Sequence, residues 1–180
     1  TIAPETKDAD FTWADFQAKN NNELLAILGN FINRTIVLTH KYYQGVIPEL
    51  GTPTELEQEV LNKIKEFPTS IGNSIEKFRF REALAEYMNL ARLGNKYLTD
   101  AEPWKKQKEN PEAVKTILHV SLQICAALSV LGEPFLPFTA KKIQNMLNID
   151  IHEWEKGGRT DLLKAGEKIN SAEYLFENID

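Results

Sequence analysis

The sequence predicts an all-α protein: an antiparallel helix bundle followed by an irregular C-terminal tail. Three observations carry this. Apolar residues recur at steps of three and four over several long stretches, which is the repeat of a helix face. Thr-Pro and Asn-Pro pairs open two of those stretches, as a cap followed by proline in the first turn does. No run alternates apolar and polar residues between hairpin turns, so there is no sheet to build. Helices joined by short loops pack antiparallel. At 180 residues, 42% hydrophobic and 26% charged, the chain has the size of one domain with a real core. Residues 20–148 form the bundle, 1–20 a lead-in segment and 149–180 a tail packed on the bundle.

The lead-in is polar and mixed, with Trp13 and Phe16 as candidate anchors and room for one short helical turn. Asn20, Asn21 and Asn22 then offer N-caps, because an asparagine oxygen accepts an orphan amide. From there a long helix runs to about Tyr43 and ends near Gly45 and Pro48. Leu24, Leu28, Phe31, Thr35 and Leu38 mark its buried face, widened by Ile27, Ile32 and Ile36.

Thr52-Pro53-Thr54-Glu55 reads as a capping box with Thr52 at the cap. Val60, Leu61, Ile64 and Phe67 carry the apolar face of the second helix, which Pro68 and Gly72 interrupt. A third helix starts around Phe78. Its face is Phe80, Leu84, Tyr87, Ala91, Gly94 and Leu98, and it reaches Leu98 in the stretch LGNKYLTDAEPW, ahead of Pro103, which cannot continue a helix. Trp104 and the basic run Lys105, Lys106 and Lys108 follow. Trp104 either folds back to cap the core or projects from the helix end.

Asn110-Pro111 repeats the start signal. The helix from Pro111 to Leu131 is apolar on nearly all sides and is therefore central. Gly132, Pro134 and Pro137 end it. A shorter amphipathic helix follows with Ile143 and Leu147 on its inner side. The tail holds Trp154, a Gly157-Gly158 turn and a short turn near Glu173 to Phe176.

Composition narrows the function. A net charge of −5 argues against a protein that coats nucleic acid through its phosphates, which should be basic. It leaves room for a small local site. The single cysteine, Cys125, lies in an apolar run and reads as a buried hydrophobe, which fits a reducing, cytoplasmic setting. No segment reads as a membrane span or a signal peptide, so no membrane partner is expected. His40, His119 and His152 are scattered without metal-ligand spacing, and there is no glycine-rich phosphate loop. Glu55, Glu57 and Glu59 read as a solvated helix face. No catalytic residue and no metal site is expected. The chain begins with Thr, and we expect it to be a piece of something longer.

One polar constellation remains. Asn30 and Arg34 are one turn apart at the edge of the first helix's apolar face, on the side that also bears Lys41. Single-stranded RNA bases are read by stacking on aromatic rings and by hydrogen bonds to their edges. Trp104 supplies a π-face, Arg34 supplies donors only, and Asn30 supplies both donor and acceptor. Three such residues are enough to clamp one unstacked base.

These stretches resemble the anticodon-binding helical domain of methionyl-tRNA synthetase, a class I aminoacyl-tRNA synthetase. The carriers are NNNELLAILGNFINRTIVLTHKYYQGVIPE, the block NKYLTDAEPW and the helix ending LGEPFLPFTAKKIQNML. The resemblance implies that Asn30, Arg34 and Trp104 recognise the first base, cytosine, of the CAU anticodon of tRNA(Met). Asn33, Lys41, Lys105 and Lys108 are candidate secondary contacts. It also implies a missing catalytic domain, which is the second expected partner. That domain would attach methionine using ATP and Mg, with zinc a further candidate in the catalytic half and no cofactor in this chain. The family's catalytic and zinc-binding signatures are missing here. Two other readings stay open: the anticodon-binding domain of a related branched-chain synthetase, and a helical protein-interaction domain with Trp104 in its core.

Overall fold

The computed structural model describes residues 10–180. The first half of the lead-in segment lies outside the described residues. The remainder is helical in the order α1 (Trp13–Lys19), a π-helical stretch (Asn20–Gly29), α2 (Asn30–Tyr43), α3 (Glu55–Ile64), α4 (Phe67–Glu76), α5 (Phe80–Ala101), α6 (Pro103–Glu109), α7 (Pro111–Leu131) and α8 (Pro137–Leu147). A 3-10 turn follows at Trp154–Gly158. Among the described residues there is no strand, only an isolated bridge between Val46 and Lys168. The all-α expectation holds.

The central helix is the one its composition marks. From Thr116 to Leu131 every side chain of α7 is buried, and the helix packs against α2, α3, α5, α6, α8 and the 3-10 turn. Asn110 caps it by accepting the Ala113 amide at 3.2 Å, with Pro111 in the first turn. By length and composition α7 could cross a bilayer, contrary to the sequence expectation, but 94% of its most apolar window is buried inside the bundle. Its apolarity serves the core on all sides. Cys125 is fully buried there, and burial pushes its thiol up to about 12.

The first helix differs from the sequence reading. It starts at Trp13 rather than at the asparagine triplet. The true cap is Thr12, whose hydroxyl accepts the Asp15 amide at 3.1 Å. Asn20 and Asn21 sit inside the helix and bind the tail. Asn20 Nδ2 donates to the Glu177 carbonyl at 2.8 Å, and Asn21 exchanges two hydrogen bonds with the backbone of Ile179. Long-range partners thus claim side chains that local preference would place at a cap. Trp13 and Phe16 do not anchor the segment. They are exposed and pack edge-on against each other, Trp13 also against Phe11.

The second predicted helix is two helices. Its capping box is displaced by two residues: Thr54 is the N-cap, and Glu57 reaches back to its amide at 2.9 Å. Glu57 is not on a solvated face but buried, and it accepts the Tyr97 hydroxyl at 2.9 Å. Burial alone would raise its carboxyl, but the bonds from Thr54 and Tyr97 outweigh it and hold the group below the usual value. Pro68 lies in the first turn of α4, while Gly72 is interior to α4 and faces Trp154.

α5 begins two residues later than expected, because Phe78 adopts a left-handed φ of 58° and turns the chain. On its predicted face Tyr87, Ala91, Gly94 and Leu98 are buried, whereas Phe80 at the open end is exposed. The tail lies on the bundle through Trp154, which donates to the Pro68 carbonyl at 3.0 Å, and through Phe176, whose ring closes on Gly29.

Candidate nucleic-acid interface

Two seams position the candidate residues. The first joins α2 to α5. A Cβ on Gly94 would lie 2.5 Å from the Phe31 ring, so only glycine lets the two helices approach this closely here. The next residue, Asn95, crosses the seam. Its Nδ2 donates to the Ile27 carbonyl at 2.8 Å, and its Oδ1 accepts from Asn30 Nδ2 at 3.4 Å. One turn earlier, Arg92 pairs with Glu23. The π-helical stretch ends at Gly29 and Asn30 opens α2, so the candidate residues begin where helical geometry changes, a common place for functional side chains.

The second seam is the corner between α5 and α6. α5 continues to Ala101, one turn beyond the expected end. Glu102 then takes a left-handed conformation, φ 46° and ψ 56°, while its amide still donates to the Leu98 carbonyl at 3.1 Å. For a non-glycine residue this costs of order 1–3 kcal/mol. Pro103 opens α6 at a position where no amide is needed. Glu102 also pairs with Lys105 at 2.6 Å across that first turn. The consequence is a division of labour: Pro103 is buried and Trp104 points outward, 38% exposed. Trp104 does not cap the core.

The seams meet at Arg34. Its guanidinium carbon lies 5.3 Å from the Trp104 ring centroid, within cation–π range. A planar base stacking beside this ring would find the guanidinium donors alongside it. Asn30 stands one turn before Arg34 on the same side of α2 and is exposed. Among the secondary candidates, Lys105 is engaged by Glu102 and the Lys41 ammonium lies 5.4 Å from the Tyr42 ring. Lys108 is exposed on the same short helix as Trp104, and Asn33 is half-buried beside Arg34. Asn95 and Glu102 were not singled out from sequence as participants. Asn95 lies in the block NKYLTDAEPW, next to the small residue of a buried stripe; that amide beside Gly94 was the available signal.

Comparison with known families shows what the chain belongs to. Residues 47–180 match the family model described as the anticodon binding domain of methionyl tRNA ligase. The chain belongs to that family. Residues 1–36 match the model for class I tRNA synthetases (M). The methionine–tRNA ligase of Cytophaga hutchinsonii is 60% identical over 178 residues, covering 99% of this chain and 26% of the relative. The chain therefore spans about a quarter of the length of the curated relatives it matches. In fold, it superposes on the apo form of Mycobacterium tuberculosis methionyl-tRNA synthetase with a TM-score of 0.91 at 18% identity, covering 99% of this chain and 37% of that one. A second structure of that synthetase, in complex with methionyl-adenylate, gives 0.87 at 19% identity, covering 94% and 34%. Membership in the methionyl-tRNA ligase family removes the branched-chain reading. The exposure of Trp104 removes the scaffold reading that placed it in the core.

Proposed function

We propose that this chain is the anticodon-reading module of a methionine–tRNA ligase, acting in the cytoplasm, and that it reads the first base, cytosine, of the CAU anticodon of tRNA(Met). The observation that carries this is the Arg34 guanidinium held over a half-open Trp104 ring. The ring supplies stacking, which tolerates any base. Identity comes from the edge. Arg34 has donors only and suits the O2 and N3 acceptors of cytosine, and Asn30 completes the edge. Asn33, Lys41, Lys105 and Lys108 serve as secondary contacts to the loop.

The remainder of the ligase would join methionine to its tRNA through an adenylate made from ATP, with Mg. A groove of about 910 Å³ on this chain suits contact with that remainder. Phe11, Phe16, Phe80 and Phe135 wall it, and Phe11, Phe16 and Phe80 are exposed. The test is binding of anticodon stem-loops that differ only at the first base. Tighter binding of CAU supports the reading, and equal binding of all four bases contradicts it.

A further inference from the structure

Asn30 sits at the surface and could present either end of its amide to a ligand. Oxygen and nitrogen make opposite demands on a base edge: Oδ1 accepts, and Nδ2 donates. The α2–α5 seam fixes which end faces out. Asn95 Nδ2 lies 2.8 Å from the Ile27 carbonyl and 3.4 Å from the Ala91 carbonyl. Both are acceptors only, so the Asn95 nitrogen must face them and its oxygen must face Asn30. Asn95 Oδ1 in turn accepts only, so Asn30 directs Nδ2 toward it, at 3.4 Å, and turns its own Oδ1 outward.

We infer that Asn95 is a positioning residue that adds to the selectivity of the first-base reading for cytosine over uracil, by holding the Asn30 amide with its acceptor outward. The inference rests on the anticodon reading above. Cytosine carries an amino donor at C4, where uracil carries a carbonyl acceptor. With Arg34 on O2 and N3, the C4 group falls to Asn30. An outward Oδ1 accepts the cytosine amino group and repels the uracil carbonyl. If the amide could turn over, its Nδ2 would satisfy the uracil C4 carbonyl, and only the uracil N3–H, a donor facing the Arg34 donors, would be left to reject that base. Asn95 touches no ligand in this arrangement. Its role is to remove the second orientation.

The test measures dissociation constants for CAU and UAU stem-loops on a set of variants, with the ratio of the two as readout. Asn95→Ala should lower the cytosine-over-uracil ratio by about 2- to 13-fold, the worth of one neutral hydrogen bond. Asn95→Asp keeps the acceptor facing Asn30 but loses the donors to the Ile27 and Ala91 carbonyls. It should keep the ratio within about 2-fold of the native value while melting earlier. In an Asn30→Ala background, Asn95→Ala should leave the ratio unchanged, because the two residues then no longer act as a pair. Should Asn95→Ala fail to fold, Asn95→Ser takes its place with the same expected ratio. Its hydroxyl is too short to span from the Ile27 carbonyl to Asn30. A purely structural Asn95 would lower the melting temperature and leave the ratio intact, and that result overturns the inference. A native chain with no preference between the two loops would contradict the anticodon reading itself. A native preference that survives undiminished in Asn95→Ala contradicts only the role given to Asn95.

Discussion

The Arg34 guanidinium carbon lies 5.3 Å from the centre of the Trp104 ring, joining the second turn of α2 to the first turn of α6. Neither helix could make this contact alone. The contact puts a donor-only group beside a π surface before any ligand arrives, which lowers the ordering cost of binding. Arg34→Ala removes charge-assisted donors worth about 1.5–3 kcal/mol. Binding of a CAU stem-loop should fall by about 10- to 150-fold. Arg34→Lys keeps the charge and loses the planar fork, so it should bind more tightly than Arg34→Ala while still narrowing the gap between CAU and a loop with a changed first base.

Gly94→Ala tests the seam beneath the site. The added methyl would meet three Phe31 ring atoms at 2.5 to 2.7 Å, and Phe31 is fully buried. Overpacking of this kind costs about 1–3 kcal/mol, more than the helix preference for alanine returns. Chemical denaturation should show that loss. Stem-loop affinity should fall with it, because α2 and α5 must separate where Asn30 and Asn95 meet.

His119 sets an acid limit on the fold. Its Nδ1 donates to the Pro48 carbonyl at 2.8 Å, and its Nε2 accepts from Gln123 Nε2 at 3.2 Å. Gln123 also donates to the Leu163 carbonyl and accepts the amides of Leu162 and Leu163, so this network ties the tail to α7. Burial lowers the imidazole below its ordinary value, with the Pro48 bond opposing in part. A histidine whose folded value is depressed contributes stability that is full above its unfolded value of about 6.5 and is lost as pH falls through it toward the folded value. Protonation would also turn Nε2 into a second donor facing Gln123. His119→Gln should flatten the decline in melting temperature below about pH 6.5. His152 is exposed and raised by Asp150 and then Glu133, so its contribution has the opposite sign and is lost as pH rises. The variant comparison isolates His119.

Much of this was legible in the sequence. The apolar stripe Tyr87, Ala91, Gly94 and Leu98, the all-apolar α7 and the Asn110-Pro111 start all reflect local rules that the fold obeys. Pairing Asn30 with Arg34 needed only the helix repeat, and adding Trp104 needed the Pro103 stop and the chemistry of base stacking. What escaped depends on partners far along the chain. Asn20 and Asn21 look like caps until the tail at Glu177 and Ile179 claims them. Glu57 looks solvated until Tyr97 arrives from α5. Glu102 carries no glycine-like signal for a left-handed φ. Its turn lies at the junction where α5 ends and α6 begins, just before the exposed Trp104.

RNA binding should be weak and only moderately salt-dependent. Lys105 is already paired with Glu102, and the net charge is −5. If about 2–3 phosphates are neutralised, log K should fall against log salt with a slope of about −1.5 to −2 for a single strand. A slope several times steeper would mean that backbone charge, rather than the base edge, dominates the affinity.

The most direct measurement takes melting temperature and CAU stem-loop affinity on one variant, Trp104→Ala. The ring is 38% exposed and the Arg34 guanidinium lies over it, so the melting temperature should change little. Stacking on this ring is worth about 1–3 kcal/mol per base, so affinity should fall by about 5- to 150-fold, with Trp104→Phe intermediate. The opposite pattern would contradict the account: a large drop in melting temperature, as for an aromatic core residue worth about 3–5 kcal/mol, with affinity unchanged in the fraction still folded.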